Sequence, residues 1–259
     1  MIAFHKNEFI EQSEAKINIL SPGFQYGIGF FTTLKYQNHQ YYFLNEHLNR
    51  LYNSCSKYNI NFTKLNVKKI LDRLLLKNNL ESARIKIIIY IDSDWMGKYL
   101  IIPQKLTLNK GEINLVAKLS HRGNSNLFYH KSMNYFENIY QKNVLTETNY
   151  DDYIFFNENN NILETTISNI FFINGNKIFT PCAKLPILNG IIRQYLLRYN
   201  QLHVNEAMID LNEINQFEAC FITNSIQGIQ SVKSIKIDSK IINYDVKKIN
   251  LLPDSIKKL

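Results

Sequence analysis

The sequence predicts an α+β protein of two domains, and three observations predict it. RIKIIIYI, from Arg84 to Ile91, is alternating and β-branched, as a strand is. Leu48, Leu51, Cys55 and Tyr58 recur at helical spacing. After a polar stretch from Leu106 to Glu112, strand and helix patterns begin anew. At 259 residues and 45% hydrophobic content, the chain can bury one substantial core or two modest ones. The boundary is placed at the Lys110-Gly111 turn, which gives domains 1–110 and 111–259.

In the first domain, Ile2 to Ile10 and Lys16 to Leu20 read as short strands, followed by the turn-rich SPGFQYGIG and a strand from Phe30 to Tyr36. A hairpin near Asn38 returns the chain through Tyr41 to Leu44, and helices follow from Glu46 and over Val67 to Leu76. In the second domain, Ile113 to Leu119, Asp152 to Phe156, Ile167 to Ile173 and Lys177 to Phe179 read as strands, and Asn134 to Thr146 as a helix. Asn174-Gly175 is a strong hairpin signal, because both residues tolerate the left-handed conformation that a tight turn needs. After Gly190 the run IIRQYLLRY is helical; strands near His203 to Ala207 and Ala219 to Thr223 then enclose a short helix starting at Asp210.

The formal charge of +8 raises nucleic-acid binding, but the lysines are scattered in pairs such as Lys68-Lys69 and Lys247-Lys248, so a solvated surface explains them and no nucleic-acid partner is expected. Cys55, Cys182 and Cys220 are odd in number and lack CxxC spacing, which points to neither a disulfide framework nor a zinc site and fits a reducing cytoplasm. The N-terminus has no basic region followed by an apolar run, and nowhere do eighteen apolar residues follow one another, so no export signal or membrane span is expected.

Several residues carry chemistry worth weighing. Arg50 lies beside the apolar stripe of the first long helix, where its planar fork suits a phosphate, although most such arginines are surface residues. Gly190 precedes a helix whose first amides, at Ile191 and Ile192, point at any anion placed there; alone, this is an ordinary helix start. Ser225, in TNSIQG, offers a hydroxyl to the same anion or a plain turn. Glu164 sits between Ile162-Leu163 and Thr165-Thr166, either paired or solvated at a strand end. Lys131 follows the loop HRGNSNLFYH; it is either solvated or a partly desolvated Schiff-base nucleophile.

Taken in order, YGIGFFTTLK, LNEHLNRL, HKSMNY, LETTISNIFFINGNKIFTP, ILNGIIRQ and ITNSIQGIQSV resemble the motifs of the class IV aminotransferase family, the fold-type IV pyridoxal phosphate (PLP) enzymes. The resemblance runs from about Lys16 to Val232. It implies a small N-terminal α/β domain, a larger C-terminal domain with a pseudo-barrel, a homodimer, and PLP in the cleft between domains. Lys131 matches the lysine that binds PLP covalently and moves the proton, and Glu164 the carboxylate that pairs with the pyridine nitrogen. Arg50, the Ile191 and Ile192 amides and Ser225 match the phosphate cup. Tyr135 falls near a family tyrosine that contacts the ring.

The family includes branched-chain and D-amino acid aminotransferases and 4-amino-4-deoxychorismate lyases. Phe30 to Thr33, NGIIRQ and TNS resemble the lyase members, many aminotransferases having Glu at the place of Thr32. The resemblance therefore implies aminodeoxychorismate lyase chemistry, releasing pyruvate to give p-aminobenzoate, with amino-acid transamination as the alternative. It puts Phe31, Thr32 and Thr33 near the substrate. Two departures stand out. Ile28 replaces an Asp common in the YGxG segment, and IIIYIDSDWMGKYL lacks the Thr-Arg-Gly pattern, so no arginine for the substrate carboxylate is carried over there.

Overall fold

The structure, a computed structural model, describes residues 1–109, 111–199 and 201–257. Lys110, half of the expected boundary turn, lies outside the described residues. The chain divides into two compact units: Met1–Leu108 with His130–Tyr135, and Asn109–Tyr129 with Phe136–Leu259. The short return at 130–135 carries Lys131 into the first unit.

In the first unit the elements run β1 (Ile2–His5), β2 (Glu8–Glu11), α1 (Pro22–Tyr26), β3 (Gly29–Gln37), β4 (Gln40–Tyr41), α2 (Leu44–Lys57), α3 (Val67–Lys77), β5 (Ala83–Ile91) and β6 (Gly97–Lys105). The strands form one antiparallel sheet in the order β2-β1-β6-β5-β3-β4. β5 holds a central place because Ile85 and Ile87 to Ile91 are all buried, polar residues being confined to Arg84 and Lys86 near its start. α2 and α3 bury Leu51, Cys55, Leu71 and Leu74 from their amphipathic faces.

The strand expected over Ile2 to Ile10 is instead a hairpin, broken where Lys6 and Asn7 adopt φ of 49° and 72°. Lys16 to Leu20 is not a strand: all five residues are exposed, and the Asn18 side chain accepts the Leu20 amide in a local turn (2.9 Å). The hairpin near Asn38 has both Asn38 and His39 left-handed, the conformation of a two-residue turn that matches strand twist.

The second unit comprises β7 (Ile113–Leu119), α4 (Phe136–Val144), β8 (Asp152–Phe156), β9 (Ile162–Thr165), β10 (Asn169–Asn174), β11 (Lys177–Pro181), α5 (Ile191–Arg198), β12 (Val204–Ala207), β13 (Ala219–Asn224), β14 (Gly228–Ile237), β15 (Lys240–Asn243) and α6 (Asp254–Lys257). The helix expected from Asn134 starts at Phe136, because Met133 is still bonded to β3 through the Gly29 carbonyl (2.9 Å). The helix expected at Asp210 is a 3-10 turn over Leu211–Gln216, capped by the Asp210 carboxylate on the Asn212 amide.

Eight of these strands are ordered β12-β11-β10-β13-β14-β7-β8-β9, with β15 beside β14. β11–β12, β14–β7 and β7–β8 are parallel. In a flat sheet of this order, β9 and β10 would lie five strand spacings apart, roughly 24 Å. Only residues 166–168 join them, a reach of about 14 Å. The sheet therefore curls, bringing its last strand back toward β10, and the Thr165 amide bonds the Ser168 carbonyl across the join (2.9 Å). Ile154, Ile162, Ile170, Phe172, Ile222, Val232 and Ile235 fill the core that the curl encloses.

Candidate active site

In the first unit, β3 supplies two chemically different faces, since successive side chains alternate. The segment 131–133 runs antiparallel along its edge: the Phe31 amide bonds the Lys131 carbonyl (2.9 Å), the Met133 amide bonds the Gly29 carbonyl (2.9 Å), and Phe30 pairs with Ser132. Lys131 is thus opposite Phe31, and its Nζ lies 4.7 Å from the Phe31 ring centre and 4.3 Å from that of Tyr135, donating to the Tyr135 hydroxyl at 3.1 Å. Phe31, Ile88, Tyr90, Met133 and Tyr135 form the apolar surround.

Thr32 points the other way, toward α2, and is fully buried. Its Oγ1 accepts from Arg50 Nη2 (2.9 Å) and lies 2.6 Å from His47 Nδ1. Burial, then the charges of Arg50 and Lys131, holds His47 well below its ordinary pKa, so the imidazole is neutral. Burial also lowers Arg50 to about 10, against an opposing influence of Tyr135; the guanidinium keeps its charge at neutral pH. Arg50 Nε and His47 Nε2 are buried polar atoms without a protein partner. Thr33 shares the Phe31 face and stands opposite Lys86 in register.

In the second unit Glu164 is buried within β9, which excludes a solvated strand end. Its Oε1 receives Arg122 Nη1 at 2.5 Å, and its Oε2 receives the Asn169 side-chain amide (3.3 Å) and the Leu188 backbone amide (3.2 Å). Arg122 is itself buried over the Phe128 and Phe155 rings and donates to the Pro186 carbonyl.

Asn169 ties this carboxylate to the start of α5. Its amide also donates to the Leu188 carbonyl (2.8 Å), and its Oδ1 occupies the space that a β-carbon on Gly190 would fill. Gly190 caps α5, so Ile191 and Ile192 are its first residues and their amides have no intrahelical partner. Arg193 anchors the turn from within the core, bonding Asn189, the Pro181 carbonyl and Glu206. Asn169 pairs with Thr223 across β10 and β13, and Thr223 Oγ1 is buried without a protein partner. Ser225 follows in the β13–β14 turn, whose amides at Ile226 and Gln227 are held by the Asn224 side chain.

The structure thus gathers Lys131, Phe31, Thr32, Thr33 and Arg50 in one unit, and Glu164, Ile191, Ile192 and Ser225 in the other. His47, Arg122, Asn169 and Thr223 were not singled out in the sequence. Arg122 lies in a loop 42 residues from its partner, and no local spacing marks such a pair.

The sequence profile of Amino-transferase class IV matches residues 29–235. The chain belongs to the class IV aminotransferase family. Two curated relatives of this class IV chain illustrate its range. An aminodeoxychorismate lyase of Bacillus subtilis is 24% identical over 91% of this chain and 86% of its own length. A D-alanine aminotransferase of Listeria monocytogenes is 25% identical over 88% and 86%. Further matching relatives from Listeria and Rickettsia are named as aminotransferases of D-alanine or of branched-chain amino acids.

Among solved structures, a branched-chain aminotransferase of Thermoproteus uzoniensis superposes with a TM-score of 0.85 at 20% identity, covering 96% of this chain and 92% of that one. A Legionella pneumophila protein provisionally named a 4-amino-4-deoxychorismate lyase gives 0.83 at 27%, covering 93% and 96%.

The class IV chain is a PLP-dependent enzyme with the family's mixed α+β fold and curled sheet. The side chains fit that cofactor on their own chemistry. In the first unit a lysine Nζ lies against aromatic rings, and in the second a buried carboxylate is held in place by an arginine and two amide donors, an amine and a carboxylate being the groups that an aldehyde and a pyridine nitrogen call for. Among the described residues, no cluster of His, Cys, Asp and Glu is suited to a metal ion, and no helix is long and apolar enough to cross a membrane.

Proposed function

We propose that the protein transfers the amino group of a branched-chain or D-amino acid to a 2-oxo acid, with PLP bound covalently to Lys131. The observation that carries this reading is the setting of the Lys131 Nζ, half-buried beside two aromatic rings and donating to the Tyr135 hydroxyl, which orients the amine for proton transfer. PLP, when bound, supplies an electron sink for the negative charge left on the substrate carbon. Lys131 holds the cofactor and shuttles the proton. Arg50, the Ile191 and Ile192 amides and Ser225 take its phosphate. Glu164, its geometry fixed by Arg122, Asn169 and Leu188, keeps the ring nitrogen protonated. The prevalence of aminotransferases among the relatives supports transamination over elimination. A homodimer belongs to the same reading, and light scattering tests it.

Aminodeoxychorismate lyase activity is the second reading, favoured by one feature of this chain. At position 32 a buried neutral hydroxyl stands between Arg50 and His47 where many aminotransferases have a carboxylate, which gives this face of β3 a different charge. Purified PLP-loaded protein incubated with L- or D-amino acids plus 2-oxoglutarate, and separately with aminodeoxychorismate, separates the two. Transamination requires amino transfer in the first assay; pyruvate and p-aminobenzoate in the second, without transfer in the first, would overturn it in favour of the lyase.

A further inference from the structure

The polar face of α2 contains a third buried group besides His47 and Arg50. Ser54, one helical turn after Arg50, donates its hydroxyl to the Arg50 carbonyl at 2.9 Å. With the Ser54 proton assigned to the Arg50 carbonyl, the His130 Nδ1 found 2.9 Å from the same oxygen is assigned as the donor in that contact. That assignment corresponds to the His130 tautomer with the proton on Nδ1. The ring is then held between Phe30 and Tyr58, at centroid separations of 5.8 and 5.2 Å. Burial, then the charge of Lys57, lowers the His130 pKa, so at neutral pH the tether adds no positive charge next to Lys131.

His130 is the first residue of the 130–135 segment that belongs to the first unit. Beyond it, the segment is fixed by backbone bonds to β3 at Lys131 and Met133. On the N-terminal side of Lys131, the His130 imidazole ties the segment to α2 through Ser54.

We propose that Ser54 and His130 form a positioning pair that fixes the backbone of Lys131 relative to the helix turn carrying Arg50. The pair thereby sets where the Lys131 Nζ stands against Phe31 and Tyr135, and couples the cofactor's covalent anchor to its phosphate ligand. The inference rests on the reading that Lys131 and Arg50 hold PLP.

The test uses PLP-loaded Ser54→Ala, His130→Phe and His130→Asn proteins, with two readouts besides activity: the PLP dissociation constant, and the pH midpoint of the visible absorbance of lysine-bound PLP. Ser54→Ala and His130→Phe each weaken PLP binding about tenfold and move the midpoint by about half a pH unit or more, as expected for loss of a buried hydrogen bond. The double variant Ser54→Ala with His130→Phe is no worse than either single change, because both remove one bond. His130→Asn, which can still donate an N–H to Ser54, stays within about twofold of the parent in affinity. Should His130→Phe not fold, Ser54→Ala against His130→Asn carries the same comparison. Folded variants with unchanged affinity and midpoint, or with a lower melting temperature alone, overturn the pair's role. Borohydride reduction of the parent and of Lys131→Ala separates the two failures: a parent that captures no PLP at Lys131 overturns the functional reading and the pair's role together.

Discussion

Arg50 and Arg122 are both arginines sunk beside candidate cofactor residues, and their surroundings differ in kind. Arg122 meets Glu164 at 2.5 Å with both side chains buried, so its charge is spent inside the protein. Arg50 donates to the neutral Thr32 hydroxyl and forms no ion pair among the described residues; the Nε does not set it apart, since that atom is buried without a protein partner in Arg50, Arg122 and Arg193 alike. Arg193 is also paired, but with the exposed carboxylate of Glu206. A closed pair fixes the geometry of a carboxylate, whereas a guanidinium without a carboxylate partner is what the proposed phosphate-binding role of Arg50 requires.

The contrast can be broken in several ways. The largest effect is expected at the anchor that Arg50 is proposed to serve: Lys131→Ala lowers turnover on the order of a thousandfold and abolishes borohydride capture of PLP, measured by intact mass. Retained capture would remove the reason for an anion at Arg50. Next, Arg122→Met leaves Glu164 buried without its cation and costs about 3–5 kcal/mol of stability, read by urea denaturation. Arg50→Gln is expected to do the reverse, weakening PLP binding by about 10- to 100-fold while the stability of the cofactor-free protein stays within about 1 kcal/mol. If Arg50→Gln destabilised the apoprotein as much as Arg122→Met, the two arginines would not differ as described.

The smallest effect concerns pH. His47 is held neutral by burial and by Arg50 and Lys131, and His5 and His130 are lowered as well. Below about pH 6.5 the unfolded chain takes up protons on these rings that the folded chain does not. Their contribution to stability is therefore full above that pH and is lost as the pH falls toward the depressed folded values. His47→Gln should flatten the acid limb of the urea midpoint against pH, by at most about 1.4 kcal/mol per pH unit. An unchanged slope would show that His47 is not the group held neutral beside Arg50.

Much of the local architecture was legible because its signals are local. Asp152 to Phe156 is a strand, the hairpin signalled by Asn174-Gly175 joins β10 to β11 with the turn one residue later at Gly175 and Asn176, and α5 begins after Gly190. The alternation rule gave little at Ile162 to Thr165, where all four residues are buried because the sheet is covered on both faces there. Lys16 to Leu20 had strand composition but no partner strand and no buried face. The site residues that escaped notice are those whose role depends on distant chain. Arg122 is an ordinary loop arginine until β9 brings Glu164 to it, and Asn169 is one polar residue before an aromatic run until Gly190 makes room for its side chain.

The parallel pairing of β7 with β14 governs how the second unit can be made. Ser234 bonds Asn114 across 120 residues of sequence, so the strand at Ile113–Leu119 leaves the ribosome long before its neighbour exists. A chain shortened before Gly228 would keep β7, β8 and β9 but leave β7 with an open edge and the apolar Leu115 without the strand that covers it. Folding of the second unit during synthesis therefore waits for β14, which begins three residues after Ser225.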